Sequence, residues 1–123
     1  MIHVDTNFLI DALVPGSLQE AQLVAWLAAG ERLGISSFAW GEFLCGPISG
    51  TAEVLARCLF PSAVGLERGD AEKAAELFNV TGRRTRTYAD CCIAAVAIRT
   101  QAALATSNRS DFMPMTAHGL TLA

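Results

Sequence analysis

Asp5, Glu42, Asp90, Asn108 and Asp111 are the residues of this 123-residue chain whose types and settings suit chemistry best. Asp5 lies in IHVDTNFLI, Glu42 in FAWGEFLC and Asp90 in YADCCIAA. A carboxylate flanked by residues that must be buried is costly unless it is paired or binds a cation. No Lys or Arg lies within five residues of Asp5 or Glu42. Two carboxylates about 4 Å apart repel by roughly 4 kcal/mol at an effective dielectric of 20. A cluster of them therefore needs a cation or raised pKa values. An all-oxygen donor set favours Mg²⁺ or Mn²⁺ over zinc. Asp5 and Asp90 are also placed to cap helix N-termini, but that role leaves Glu42, inside an apolar helix, unexplained.

These acids act together only if the fold gathers them. Residues 1–4 read as a strand that stops at Asp5, with further strands at 33–36, 62–66, 103–106 and 120–122. Helices are expected over 7–13 and 17–29, the second capped by Ser17, and from a Ser37 cap to about Cys45. Others follow at about 50–59, at 70–79 opened by Asp70, and at 89–101, with a polar basic loop, TGRRTRT, at 81–87. Strands separated by helices of this length imply crossover connections and a parallel sheet covered on both faces. The expected fold class is α/β, a three-layer α/β/α sandwich with a central parallel sheet, as a single domain over 1–123. Such sheets bind ligands beyond the carboxyl ends of their strands, near a switch in strand order. Asp5, Asn108 and Asp111 all follow strand exits, and Glu42 lies about two turns beyond the second strand.

Composition narrows the class. With 52% hydrophobic and 17% charged residues, intrinsic disorder is excluded. Apolar runs fall short of the roughly 18 to 20 residues of a membrane span. The opening MIHVDTNFLI has neither a basic segment nor a cleavage site, so a cytoplasmic location is expected. Cys45, Cys58, Cys91 and Cys92 form no Cys-x-x-Cys pair and are expected to be reduced, buried and structural. A net charge of −3, from nine bases and twelve acids, speaks against binding nucleic acid through bulk charge and leaves only a local basic patch.

Four segments carry a family resemblance: VDTNFLIDAL at 4–13, SSFAWGEFLCG at 36–46, ADCCIAAVA at 89–97 and LATSNRSDF at 104–112. In this order and at these spacings the chain resembles the PIN-domain nucleases and, within them, the VapC-type toxins of bacterial toxin–antitoxin pairs. The resemblance implies a divalent-metal site, with Mg²⁺ or Mn²⁺ as cofactor, and endoribonuclease activity on RNA. It places the acidic quartet at Asp5, Glu42, Asp90 and position 108. Many members have Asp at this last place, where this chain has Asn108, with Asp111 three residues on. Thr6 and Asn7 would orient Asp5, and Thr106 would do the same for the loop at 108. A divalent ion in this site would activate water and neutralise charge on the phosphate. The resemblance also implies an antitoxin partner and a homodimer.

Arg83, Arg84 and Arg86 precede Asp90 and are candidate RNA-phosphate contacts, as is Arg109 beside Asn108. Asp11 reads as surface, His3 as a packed or edge histidine, and His118 as solvent-exposed. Trp40 and Phe43 read as core or interface, with base stacking as the alternative. The helix at 89–101 is apolar nearly all round, which predicts excess apolar surface and a homodimer or bound partner. A phosphoacceptor receiver domain is set aside, because the third strand ends at Leu66-Glu67 and the only lysine is Lys73. The competing function is a catalytically weakened PIN domain that binds RNA or protein, motivated by Asn108.

Overall fold

A strand of only three residues needs neighbours on both sides, and the central strand here is Ile2–Val4 (β1), buried along its length, with His3 between two aliphatic residues. The computed structural model, which describes all 123 residues, flanks it with Leu33–Gly34 (β2) and Ala103–Ala105 (β3) and adds Thr121–Leu122 (β4) at the far edge. Every pairing is parallel, in the order β2-β1-β3-β4. The register sets Ile2 opposite both Leu33 and Ala103. Parallel pairing forces each connection to cross over the sheet, and the helices do this.

Thr6–Ala12 (α1) and Leu18–Ala28 (α2) link β1 to β2. Ser37–Cys45 (α3), Gly50–Leu59 (α4), Arg68–Val80 (α5) and Tyr88–Arg99 (α6) link β2 to β3. Arg109–Phe112 (α7) and a 3-10 helix at Met113–His118 lead to β4. The chain leaves β1 to one side and returns across it to the other, so right-handed crossovers put the two sets of connections on opposite faces. The result is the three-layer α/β/α arrangement. The switch in strand order falls between β1 and β3, where open α/β sheets hold ligands.

Three sequence expectations are corrected. Residues 62–66 do not form a strand: only Val64 pairs, through a single bridge to Ser36. Gly65 and the flanking exposed Ser62 and Leu66 supply no buried alternating face to extend it. The cap of α3 is Ser36, whose hydroxyl accepts from Ala39 N at 3.1 Å, so Ser37 is the first helical residue. Above all, α6 exposes little apolar surface beyond Tyr88, because Cys91 to Ala97 are all buried. Its small side chains let it approach β3 while α5 and α3 cover its other sides. Exposed apolar side chains lie instead on other helices: Leu18, Val24 and Leu27 on α2 and Val54 and Leu55 on α4.

Other single residues also differ from expectation. Cys91 and Cys92 are buried, but Cys45 and Cys58 are exposed. His118, at the end of the 3-10 helix, is half-buried. His3 is packed as expected, with neither ring nitrogen hydrogen-bonded. No helix is long and apolar enough to cross a membrane.

Candidate active site

Asp5 is fixed from two sides. As the N-cap of α1 it accepts from Phe8 N at 2.7 Å with Oδ1, while Oδ2 accepts from the Thr106 hydroxyl at 2.5 Å. The residue is 3% exposed. Burial raises its pKa above 3.8, the two hydrogen bonds pull against that, and the charges of Asp11 and Glu42 push it further up. Capping and site membership are thus compatible, because each uses a different oxygen.

Thr106 follows β3 across the switch point and does more than hold Asp5. Its hydroxyl oxygen also accepts from Asn108 N at 2.9 Å, so one side chain ties the end of β1 to the loop after β3. Glu42, on the exposed side of α3, accepts from the Thr6 hydroxyl at 2.9 Å. Thr6 therefore orients Glu42 rather than Asp5, which corrects the sequence expectation. Helix α1 brings its first residue to α3, a contact that spacing along the chain does not reveal. Asn7 lines the same cleft and is exposed.

Asp90, in the first turn of α6, carries the largest perturbation among the acids. Burial first, then the charges of Asp111, Glu42 and Asp5, push its pKa up to about 6. No hydrogen bond contributes to that balance, so Asp90 is not a helix cap. Asp5, Glu42 and Asp90, with Thr6, Asn7 and Ile93, line one cleft of about 100 Å³. None of these three acids, nor Asp111, takes part in an ion pair. A larger cleft of about 590 Å³ lies by the opposite, amino ends of the strands and has only one acid, Glu31. The carboxylates are gathered in the smaller one.

The other candidates divide. Asn108 is half-buried at the start of α7, and Asp111, in α7, supplies the strongest charge acting on Asp90. Neither lines the cleft itself. Arg109 is not brought in: its Nη1 donates to the main-chain oxygen of Ala123 at 2.7 Å. Arg83, Arg84 and Arg86 are exposed in the loop before α6. Asp11, read from sequence as surface, is half-buried and accepts from the Ser107 hydroxyl at 2.6 Å. Only the pairing of α1 with the β3–α7 loop reveals it. The Cys91 thiol is pushed up to about 11 by burial and by Asp90, and so is no nucleophile.

The donor set is all oxygen and holds more negative charge than any neighbouring base offsets. That chemistry fits a hard divalent cation. As the side chains stand, no three acidic, histidine or cysteine groups are drawn into a metal-binding cluster. Binding would require the carboxylates to close on the ion.

The fold and the cleft define an α/β domain with a carboxylate cluster at the switch point of a parallel sheet. The chain belongs to the PIN domain family, whose model matches residues 2–113. Comparison with curated proteins finds no match. Among solved structures, FitAcB from Neisseria gonorrhoeae is similar at 23% identity and a TM-score of 0.72, covering 100% of this chain and 97% of that one. VapBC2 from Rickettsia felis, bound to a DNA fragment from their promoter, is similar at 19% identity and a TM-score of 0.77, covering 100% and 98%. A toxin–antitoxin complex from Klebsiella pneumoniae is similar at 26% identity and a TM-score of 0.72, covering 91% and 90%.

Proposed function

We propose that this chain is a divalent-metal-dependent endoribonuclease acting as the toxin of a toxin–antitoxin pair. The observation that carries the reading is the convergence of Asp5, Glu42 and Asp90 on one cleft without a base to neutralise them. Mg²⁺ or Mn²⁺ would be held by Asp5, Glu42 and Asp90, with the Asn108 carbonyl and Asp111 beside them. When bound, such an ion would supply an activated water and charge neutralisation on an RNA phosphodiester. Thr106 and Thr6 keep Asp5 and Glu42 in place, while Asp90, with a pKa near 6, is mostly ionised at neutral pH. Arg83, Arg84 and Arg86 are the proposed phosphate contacts. Arg109 has a weaker claim, since its guanidinium is already engaged by Ala123.

The toxin role rests on the four motifs and on the similarity to the Klebsiella pneumoniae toxin–antitoxin complex. An antitoxin and a second copy of the chain are the proposed partners, with the exposed apolar residues of α2 and α4 as the surface available to them. A second reading, an RNA- or protein-binding module of reduced activity, is favoured by Asn108, which offers a neutral oxygen where a fourth carboxylate would bind a cation more strongly.

One assay separates the two. The purified protein is expected to cleave RNA with Mg²⁺ or Mn²⁺ and to stop with EDTA. Asp5→Asn and Asp90→Asn should each lose about 100-fold or more, the effect of roughly 3 kcal/mol of lost charge stabilisation. Full activity in both variants would remove the site assignment, and RNA binding without cleavage would select the binding module. Growth arrest on expression, relieved by the same substitutions, tests the toxin role.

A further inference from the structure

Helix α1 meets the loop after β3 twice. At its start the Asp5 carboxylate holds Thr106, and at its last turn the Asp11 carboxylate holds the adjacent Ser107. Asp11 stands six residues from Asp5, about 9 Å along the helix axis and about 240° around it, so it lies outside the cleft. We infer that Asp11 is a positioning residue for the proposed active site, acting through Ser107 on the loop that carries Thr106 and Asn108. The inference rests on the nuclease reading for its consequence, although not for its geometry.

Three features give the contact this role. The Ser107–Asp11 bond, at 2.6 Å, is a short hydroxyl-to-carboxylate bond of the charge-assisted class. Asp11 is itself anchored, because its main-chain oxygen accepts from the Ser17 hydroxyl at 2.7 Å and from Val14 N at 3.0 Å where α1 turns into α2. Ser107 is held between that anchor and α2, where Gln19 Nε2 lies 3.5 Å from its oxygen. Consecutive loop residues are therefore clamped to the two ends of one helix. The next residue, Asn108, hangs from the clamp by its N–H bond to Thr106. Release of Ser107 would leave Thr106 as the loop's one remaining side-chain tie to α1, and with it the placement of Asn108 and of the α7 turn bearing Asp111.

The test uses Ser107→Ala, Asp11→Ala and Asp11→Asn in the full chain. Asn keeps an acceptor oxygen for Ser107 but removes the charge that strengthens the bond, so its effect should fall between wild type and Asp11→Ala if the hydrogen bond is what matters. Exchange of the Asn108 amide with deuterium, followed by NMR without metal, should accelerate about tenfold in Ser107→Ala and Asp11→Ala and clearly less in Asp11→Asn. Mn²⁺ binding, read from the free-ion electron paramagnetic resonance signal, should weaken about tenfold in the same two variants, as loss of groups that orient metal ligands does. Unchanged Asn108 exchange in both alanine variants would overturn the inference, whatever the metal does. Acceleration in Asp11→Asn equal to that in Asp11→Ala would also overturn it, by showing that charge rather than the bond is responsible. A wild-type chain that binds no Mn²⁺ would instead overturn the nuclease reading, with the exchange result still deciding the clamp.

Discussion

Asp90 is the acid whose protonation reports most directly on the site. Its pKa lies near 6 in the folded chain, against 3.8 ordinarily. The folded state therefore binds more protons than the unfolded state between about pH 4 and 6, and stability falls as pH rises through that window. A cation that pairs with Asp90 reverses the penalty. Thermal denaturation should show Mg²⁺ raising Tm at pH 7.5 and much less at pH 5, with about 2.7 kcal/mol of stabilisation at a hundredfold excess over Kd. Asp90→Asn should melt above wild type at pH 7.5 without metal and respond little to Mg²⁺; a lower melting point would remove the charge-repulsion account. Asp5 offers a complementary test, since it keeps only two donors while almost wholly buried. Thr106→Val should cost about 1 to 3 kcal/mol by leaving a buried carboxylate oxygen unpaired, and Thr106→Ser should restore most of it in urea denaturation.

Among the elements, the β1–β2 pair has the least room for change. The register sets His3 opposite Gly34, and a Cβ on Gly34 would lie 2.7 Å from two atoms of the buried imidazole. Gly34→Ala should cost about 1 to 3 kcal/mol, the usual range for overpacking. The double variant with His3→Ala should lose less than the two single losses combined, since the clash goes with the ring. A second lock joins α5 to α6, where Arg99 Nε reaches both oxygens of the buried Asp70 at 2.8 and 3.0 Å. Burial alone would raise the Asp70 pKa, but the Arg99 bonds, the bond from Glu67 N and the Arg99 charge together outweigh it and hold the value below 3.8. That contribution is present above the unfolded pKa and disappears as pH falls through the folded one. Arg99→Met should accordingly shift the acid-unfolding midpoint to higher pH. Most elements were legible because capping serines, Gly–Pro breaks and apolar periodicity are local signals. The 62–66 segment misled because an apolar stretch says nothing of whether a neighbour exists to pair with it. Asp5, Glu42 and Asp90 stood out as charges in apolar settings. Asp11 and the Thr6–Glu42 bond did not, because each depends on helix α1 meeting a segment more than thirty residues away along the chain.

Across the whole molecule the net charge of −3 is an average over two unlike regions. Asp5, Asp11, Glu42, Asp90 and Asp111 gather at the carboxyl ends of the strands, which leaves seven acids against nine bases elsewhere. Four of those bases, Arg57, Arg68, Lys73 and Arg99, are ion-paired to acids. Arg83, Arg84 and Arg86 are in no ion pair, and the loop that bears them leads directly into the helix that starts with Tyr88 and Asp90. The loop is also held in shape: Thr87 donates to the Arg84 carbonyl from both its hydroxyl and its amide, at 2.9 and 3.0 Å. Charges presented on a fixed loop bind phosphate with less ordering cost. In a cleavage-deficient Asp5→Asn background, affinity for single-stranded RNA should fall linearly with the logarithm of salt concentration. Replacing the three arginines with alanine should reduce that slope by about 2, from roughly 0.7 per neutralised phosphate. The same replacement should leave Tm nearly unchanged, because surface positions without partners contribute little to stability. An unchanged slope would place the RNA path on another face and leave the acidic cleft without its basic approach.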